Sequence, residues 1–287
     1  MLFGDSAEPP HNPEVGAVMA SLIRRGKFFY IQYYLGGKPC RMVWVSDDVA
    51  SAFDTVSLDR LMQACSEHFP EDVLWLIRRC AGMKSKRGIR QGSPASPLFW
   101  NIFADRFIDR APLPAGCLIR YADDLLMLCS TVGEAEIAYK ALMETCRKAG
   151  TPLKGGMNNG IFDLDAGQSV TWLGYRLHRR GDDLGVHIAD RGWGRLQQNL
   201  TGAHYKPASP IRAIETVQGW LNYFGPCYAF EDRRKVLGRL KDEAAKQGFD
   251  ELPSRRSLDA FWKHAHACGH RNYEQQARRL SQVPVAA

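Results

Sequence analysis

The sequence predicts an α+β protein that ends in a basic, mainly helical appendage. Three observations carry that expectation. β-prone apolar runs alternate with helix-period segments from Met42 to Leu177. Two of these runs, Leu118–Tyr121 and Leu125–Leu128, flank Ala122-Asp123-Asp124, the pattern of a buried hairpin with acids at its tip. Beyond Asp190 the pattern turns helical, and all of the net charge collects there.

Each element has a local reason. Residues 5–14 are polar and proline-rich and read as an irregular lead-in. Val15 to Ile23 suits a short helix closed by Arg24, Arg25 and Gly26. Phe28 to Leu35 is aromatic and β-prone, and Gly36-Gly37 offers a turn into a second strand at Met42–Val45. Ser57 can cap a helix whose apolar positions are Leu58, Leu61, Met62 and Cys65. A further helix follows over Val73 to Cys80. Pro94 and Pro97 open an apolar helix with Leu98, Phe99, Ile102, Phe103 and Phe107. Thr131 with Glu134 makes a capping box for a helix running to Gly150. Strand-like stretches recur at Gly160–Leu164 and Val170–Leu177. Glycine and proline breaks near 207–210 and 225–226 divide the helical remainder, and there are no internal repeats.

Composition excludes several classes. The 287 residues are 45% apolar and 24% charged, enough apolar material to exclude wholesale disorder. Residues 1–190 hold 22 basic and 22 acidic side chains, whereas 191–287 hold 16 and 9. A neutral body with a basic appendage points to a polyanionic partner. The eight cysteines form no CxxC pair and fall mostly in apolar runs, so they read as small hydrophobes in a reducing compartment. No stretch is long and apolar enough to span a membrane, and the N-terminus shows no signal-peptide pattern. A cytoplasmic protein without membrane contact is therefore expected. Cys268 among His264, His266 and His270 lacks the two separated ligand pairs of a closed zinc site and reads as an exposed helical tail.

The acids raise the question of chemistry. Asp48 ends the apolar run MVWVS, and Asp123 and Asp124 lie between two apolar strands. Gathering like charges there is unfavourable unless a cation joins them, and oxygen-only ligands suit Mg²⁺. A pair of such ions would support in-line phosphoryl transfer. Taken alone, Asp48 better suits a cap or turn on a wet rim.

Five segments carry a resemblance. Tyr121-Ala122-Asp123-Asp124 resembles the metal-binding hairpin of reverse transcriptases, and Asp48-Val-Ala-Ser-Ala-Phe53-Asp54 their first aspartate motif. Gln91-Gly92-Ser93-Pro94-Ala-Ser96-Pro97 resembles their template- and nucleotide-contacting motif. Trp172-Leu173-Gly174-Tyr175 is similar to the hairpin that grips the primer end. Gln218-Gly219-Trp220-Leu221-Asn222-Tyr223-Phe224 is similar to the thumb of reverse transcriptases from group II introns and bacterial retroelements. All five stand in family order over 42–224.

The resemblance implies a right-hand polymerase: an α+β palm with abbreviated fingers and a helical thumb. It implies a residual fingers segment at 1–41, the palm or reverse transcriptase core at 42–190, a maturase-like thumb at 191–245 and a basic C-terminal tail at 246–287. The activity implied is RNA-directed DNA synthesis by two-metal nucleotidyl transfer. Two Mg²⁺ ions, with Mn²⁺ as a substitute, would be held by Asp48, the carbonyl of Val49, Asp123 and, in a weaker role, Asp124. Phe53 would lie under the incoming sugar and exclude a 2′-hydroxyl, with Gln91 and Gly92 against nucleotide and template. Leu173 and Gly174 would grip the primer. Within the basic run 78–90, Arg87 and Arg90 would contact template phosphate, as would Arg233, Arg234 and Lys235 in the thumb. Arg120 suits either a salt bridge or a nucleic-acid contact.

The partners implied are an RNA template, a DNA or RNA primer and deoxynucleoside triphosphates. A cognate structured RNA or a protein supplying fingers are further candidates. The family's basic fingers strand is not recognisable before Asp48, where Lys38 and Arg41 are stand-ins. The family's lysine for protonating pyrophosphate is replaced near Met157, and Lys154 lies three residues earlier. Two rival readings stay open: a maturase-like or defence module that holds RNA without polymerising, and an RNA-dependent RNA polymerase, against which Phe53 argues.

Overall fold

The computed structural model describes residues 42–81, 88–113, 118–181, 183–224 and 233–264. The expected helix at Val15–Ile23, the strand at Phe28–Leu35, the fingers stand-ins, Arg87 and, of the Cys268 cluster, His266, Cys268 and His270 lie outside them. The described residues fall into two compact units, 42–170 and 171–264. Both mix or segregate helix and sheet as the α+β expectation requires.

In the first unit, strand β1 (Val43–Asp48) pairs antiparallel with β3 (Asp124–Cys129) on one side and β4 (Ile161–Asp163) on the other. Strand β2 (Leu118–Tyr121) completes the order β2-β3-β1-β4. Alternation sorts the side chains of β1 and β3. Val43, Val45, Leu125, Met127 and Cys129 join the helix-backed core, while Trp44, Leu126 and Leu128 are buried on the opposite face. Burial on both faces explains why these strands read as unbroken apolar runs.

The helices follow their sequence signals closely. After a single turn α1 (Ala52–Thr55), α2 (Leu58–Cys65) starts at Ser57, whose hydroxyl accepts from the Arg60 N–H. Helix α3 (Glu71–Ala81) extends beyond Val73–Cys80 at both ends. Helix α4 (Ser96–Ala104) has Pro97 in its first turn and runs into a π-helical turn at Asp105–Asp109. Helix α5 (Val132–Ala149) is capped by Thr131 and closed by Gly150 in the left-handed region, and it packs on β1 and β3.

A short turn α6 (Met157–Gly160) precedes β4. Val170–Leu177 does not form one strand. β5 (Ser169–Trp172) and β6 (Tyr175–Arg180) are separated by Leu173 and Gly174, both at positive φ, which reverses the chain. Strand β7 (Asp183–Ile188), not anticipated from the sequence, pairs with β6 to complete a three-stranded sheet.

In the second unit this sheet is followed by α7 (Asp190–Ala203), α8 (Ser209–Phe224) and α9 (Arg233–Lys246). α7 packs against both later helices, with Trp193 and Trp220 ring centroids 4.7 Å apart. No helix among the described residues is long and apolar enough to cross a membrane.

Candidate active site

Strand register brings the acids together. Asp48, at the end of β1, stands directly opposite Asp124 at the start of β3. Asp123 occupies the two-residue turn between β2 and β3, and its carbonyl accepts the Val49 N–H at 3.0 Å. Asp48 and Asp123 line a cavity of about 710 Å³, together with Val49, Phe53, Gln91, Gly92 and Lys154. Asp124 does not line it. Among the described residues, no three acidic, His or Cys side chains gather as a ready-made metal cage.

Like charges opposed across a strand pair repel, and a basic side chain answers them here. The Lys154 ammonium lies 3.0 Å from Asp48 Oδ2, although its side chain is 68% exposed. Lys154 is placed by backbone pairing: its N–H donates to the Asp48 carbonyl and Ala50 N–H to the Pro152 carbonyl, each at 2.8 Å. Asp47 fixes the same loop from its other side. It accepts the Gly155 N–H at 2.9 Å and the Tyr139 hydroxyl at 2.5 Å, and burial together with this carboxylate pushes the Tyr139 phenol up. Tyr139 reaches Asp47 across Gly160, where a Cβ would sit 2.4 Å from its ring. Met157, near the place of the family's lysine, packs against the core instead.

The nucleotide-side residues are equally ordered. Phe53 sits half-buried on α1, its ring centroid 6.4 Å from that of Trp100. The Gln91 amide donates to both oxygens of Asp54 at 3.1 Å. Gly92 adopts φ +81° with open space where a Cβ would point, so backbone faces the cavity. Arg90 is exposed and does not line the cavity.

The turn that carries Asp123 is held from behind. Ala122 has φ +53°, unfavourable for a residue with a Cβ by roughly 1–2 kcal/mol. Its carbonyl accepts the Trp100 indole N–H at 2.8 Å and the Arg120 guanidinium at 3.1 Å. Arg120 is 5% exposed and ion-paired with Asp109 at 2.6 Å, so it is an internal salt-bridge residue. Asp47, Trp100 and Asp109 carried no sequence signal of their own, because each acts through a neighbour.

Two carboxylates with backbone oxygen nearby, and a lysine cation already on one of them, fit a hard divalent ion. Such ions commonly take one or two protein carboxylates and complete their shell with water and substrate phosphate. Residues 38–177 match the reverse transcriptase (RNA-dependent DNA polymerase) family. No curated protein matches the sequence.

Among solved structures, the foamy viral protease-reverse transcriptase bound to an RNA/DNA hybrid is 13% identical, with 80% of this chain and 27% of that one covered at a TM-score of 0.43. Telomerase from Candida albicans, solved with a TWJ fragment of telomeric RNA, is 11% identical over 96% and 54% of the two chains, at 0.41. Apo telomerase from Candida tropicalis is 10% identical over 92% and 54%, at 0.44. The chain thus spans 27% to 54% of the length of these structures.

Apart from this cavity, two expected segments meet within the second unit. The Tyr175 hydroxyl donates to the Tyr223 carbonyl at 3.0 Å, and its ring packs edge-on against Phe224. A Cβ on Gly174 would lie 3.4 Å from the Phe224 ring. The Trp172–Tyr175 turn and the end of α8 therefore form one aromatic cluster. In α9, Arg234 and Lys235 are exposed. Arg233 is not: its side chain is 13% exposed and lies 2.6 Å from Asp259. Its charge is therefore paired within the second unit.

Proposed function

We propose that the chain is an RNA-directed DNA polymerase, of the kind found in group II introns and bacterial retroelements. One observation carries the reading: a single cavity collects Asp48, Phe53, Gln91, Gly92, Asp123 and Lys154, which come from four separate segments of the sequence. Two Mg²⁺ ions, with Mn²⁺ as a substitute, would be held by Asp48, Asp123 and the Val49 carbonyl, with Asp124 beside them. When bound, these ions would stabilise charge on the attacking and leaving oxygens of an in-line displacement.

The chain's own residues account for the rest. Phe53 forms the floor on which the incoming sugar lies. Gln91, its amide held by Asp54, and the open backbone at Gly92 receive the nucleotide and the paired template base. The primer 3′-hydroxyl attacks the α-phosphate and pyrophosphate leaves. Lys154, one of the cavity's lining residues, is the proton donor for that leaving group, in place of the family's lysine near Met157. Template RNA, a primer and deoxynucleotides are the partners. Leu173 and Gly174 present the primer end, and Arg90, Arg234 and Lys235 contact phosphate.

Primer extension on an RNA template tests the reading. Asp123→Asn should lower extension by at least ~10³-fold, equivalent to ~4 kcal/mol of transition-state stabilisation. Its thermal midpoint should be unchanged or raised, since one of several neighbouring like charges is removed. Near-normal extension by a folded Asp123→Asn protein would remove Asp123 from the chemistry.

A further inference from the structure

We propose that Arg120 is a positioning residue: with Trp100 it locks the Ala122 carbonyl and so aims the Asp123 carboxylate at the cation site. The inference rests on the reading of Asp123 as a cation ligand and extends it to residues that touch no substrate.

The backbone on both sides of Asp123 is tied down. Trp100 Nε1 and Arg120 Nη1 both donate to the Ala122 oxygen, at 2.8 and 3.1 Å, which uses both acceptor positions of that carbonyl. Because a peptide unit is planar, this fixes the plane entering Asp123. The Val49 N–H bond to the Asp123 carbonyl, 3.0 Å, fixes the plane leaving it. Only the side-chain torsions of Asp123 are then left to vary. A left-handed Ala122, at φ +53°, persists where surrounding bonds over-determine it.

The Arg120 fork suits this duty and a lysine would not. Nε and Nη2 hold the two oxygens of Asp109 at 2.8 and 2.6 Å, while Nη1 reaches Asn101 Oδ1 at 2.9 Å and the turn carbonyl. One planar group thus joins α4, the π-helical turn and the hairpin, which a single ammonium cannot do in that geometry. At 5% exposure, Arg120 is also out of reach of nucleic acid.

The test compares Arg120→Lys, Trp100→Phe and Asp123→Asn with the parent protein. Mn²⁺ binding is followed by the electron paramagnetic resonance of free Mn²⁺, well below each melting midpoint. Primer extension is measured in parallel against Mg²⁺ concentration. Arg120→Lys and Trp100→Phe should each weaken Mn²⁺ binding by roughly 10-fold, the lower end of effects seen when the support of a metal ligand is removed. The Mg²⁺ needed for half-maximal extension should rise in step, with the nucleotide KM at saturating metal unchanged.

A purely structural Arg120 would lower the melting midpoint and leave metal affinity intact, which overturns the proposal. So would Mn²⁺ binding that Asp123→Asn leaves untouched. Should Arg120→Lys fail to fold, Trp100→Phe decides, since it removes one donor and keeps an aromatic ring. A parent protein that binds Mn²⁺ through Asp123 but extends no primer would sink the polymerase reading alone. The Mn²⁺ titrations would then decide the positioning role.

Discussion

Phe53 shows how one side chain can serve core and cavity together. Its ring packs on the edge of the helix-backed core and also lines the cavity that holds Asp48 and Asp123. A sugar resting on that ring would have room for a 2′-hydrogen, whereas a 2′-hydroxyl would overlap its edge. Phe53→Val should therefore lower discrimination against ribonucleotides by roughly 1–3 kcal/mol, about 5- to 150-fold, the scale of a steric pocket. Because the ring is only half-buried, the accompanying stability loss should stay near or below about 3 kcal/mol. Incorporation efficiencies for matched deoxy- and ribonucleotide pairs, read beside a melting curve, check both values. Selectivity that survives in a folded, active variant would assign Phe53 to packing alone and favour RNA synthesis.

Helices α2 and α5 hold thiols that report on their packing. Burial pushes Cys65 from its ordinary 9.0 up to about 11, and Cys146 up to about 12, the latter with help from the Asp47 and Asp109 charges. Both thiols stay protonated in the folded protein through the range where an unfolded chain ionises. Above pH 9 the folded state therefore binds more protons than the unfolded one, and stability falls as pH rises. The denaturation midpoint should drop between about pH 9 and 11, and Cys146→Ala should flatten the slope. A thiol reagent at pH 8 should label Cys65 and Cys146 only on unfolding, while exposed Cys80 reacts at once. Backbone strain is local in the same way. Of the four non-glycine residues at positive φ among those described, Ser51 and Ala122 flank the acids and Leu173 forms the β5–β6 turn.

The net positive charge of the sequence gathers in its last third, and the second unit sorts basic side chains into two duties. Arg233 is held by Asp259, and Arg239 lies over the Trp193 ring at 4.1 Å, so both support packing. Arg234 and Lys235 face water. Replacing Arg234 and Lys235 with Ala should weaken primer–template binding about equally on all sequences. It should also flatten the dependence of log affinity on log salt by roughly one unit for each phosphate no longer neutralised. Arg233→Ala should instead lower the melting midpoint with the salt slope kept. An unchanged slope in the double variant would move the nucleic-acid path off α9.

Much of this was legible from residues alone, where local chemistry decides. Ser57 and Thr131 cap the helices they were expected to cap, and Gly150 ends α5 in the conformation that glycine tolerates best. Apolar runs around Asp123 and Asp124 announced the hairpin, and the resemblance to reverse transcriptase motifs singled out Phe53, Gln91 and Gly92, which line one cavity. Tertiary structure decided what depends on neighbours distant in the chain. Nothing near Lys154 shows that β1 pairs with its loop and sets its ammonium on Asp48. Nothing near Arg120 shows whether it meets phosphate or Asp109. Arg233 and Arg234 look alike in sequence, yet one is consumed by Asp259 and the other is not. Capping and periodicity act within a few residues and are written into local sequence. The partner of a long charged side chain is set by long-range packing, which short segments do not encode.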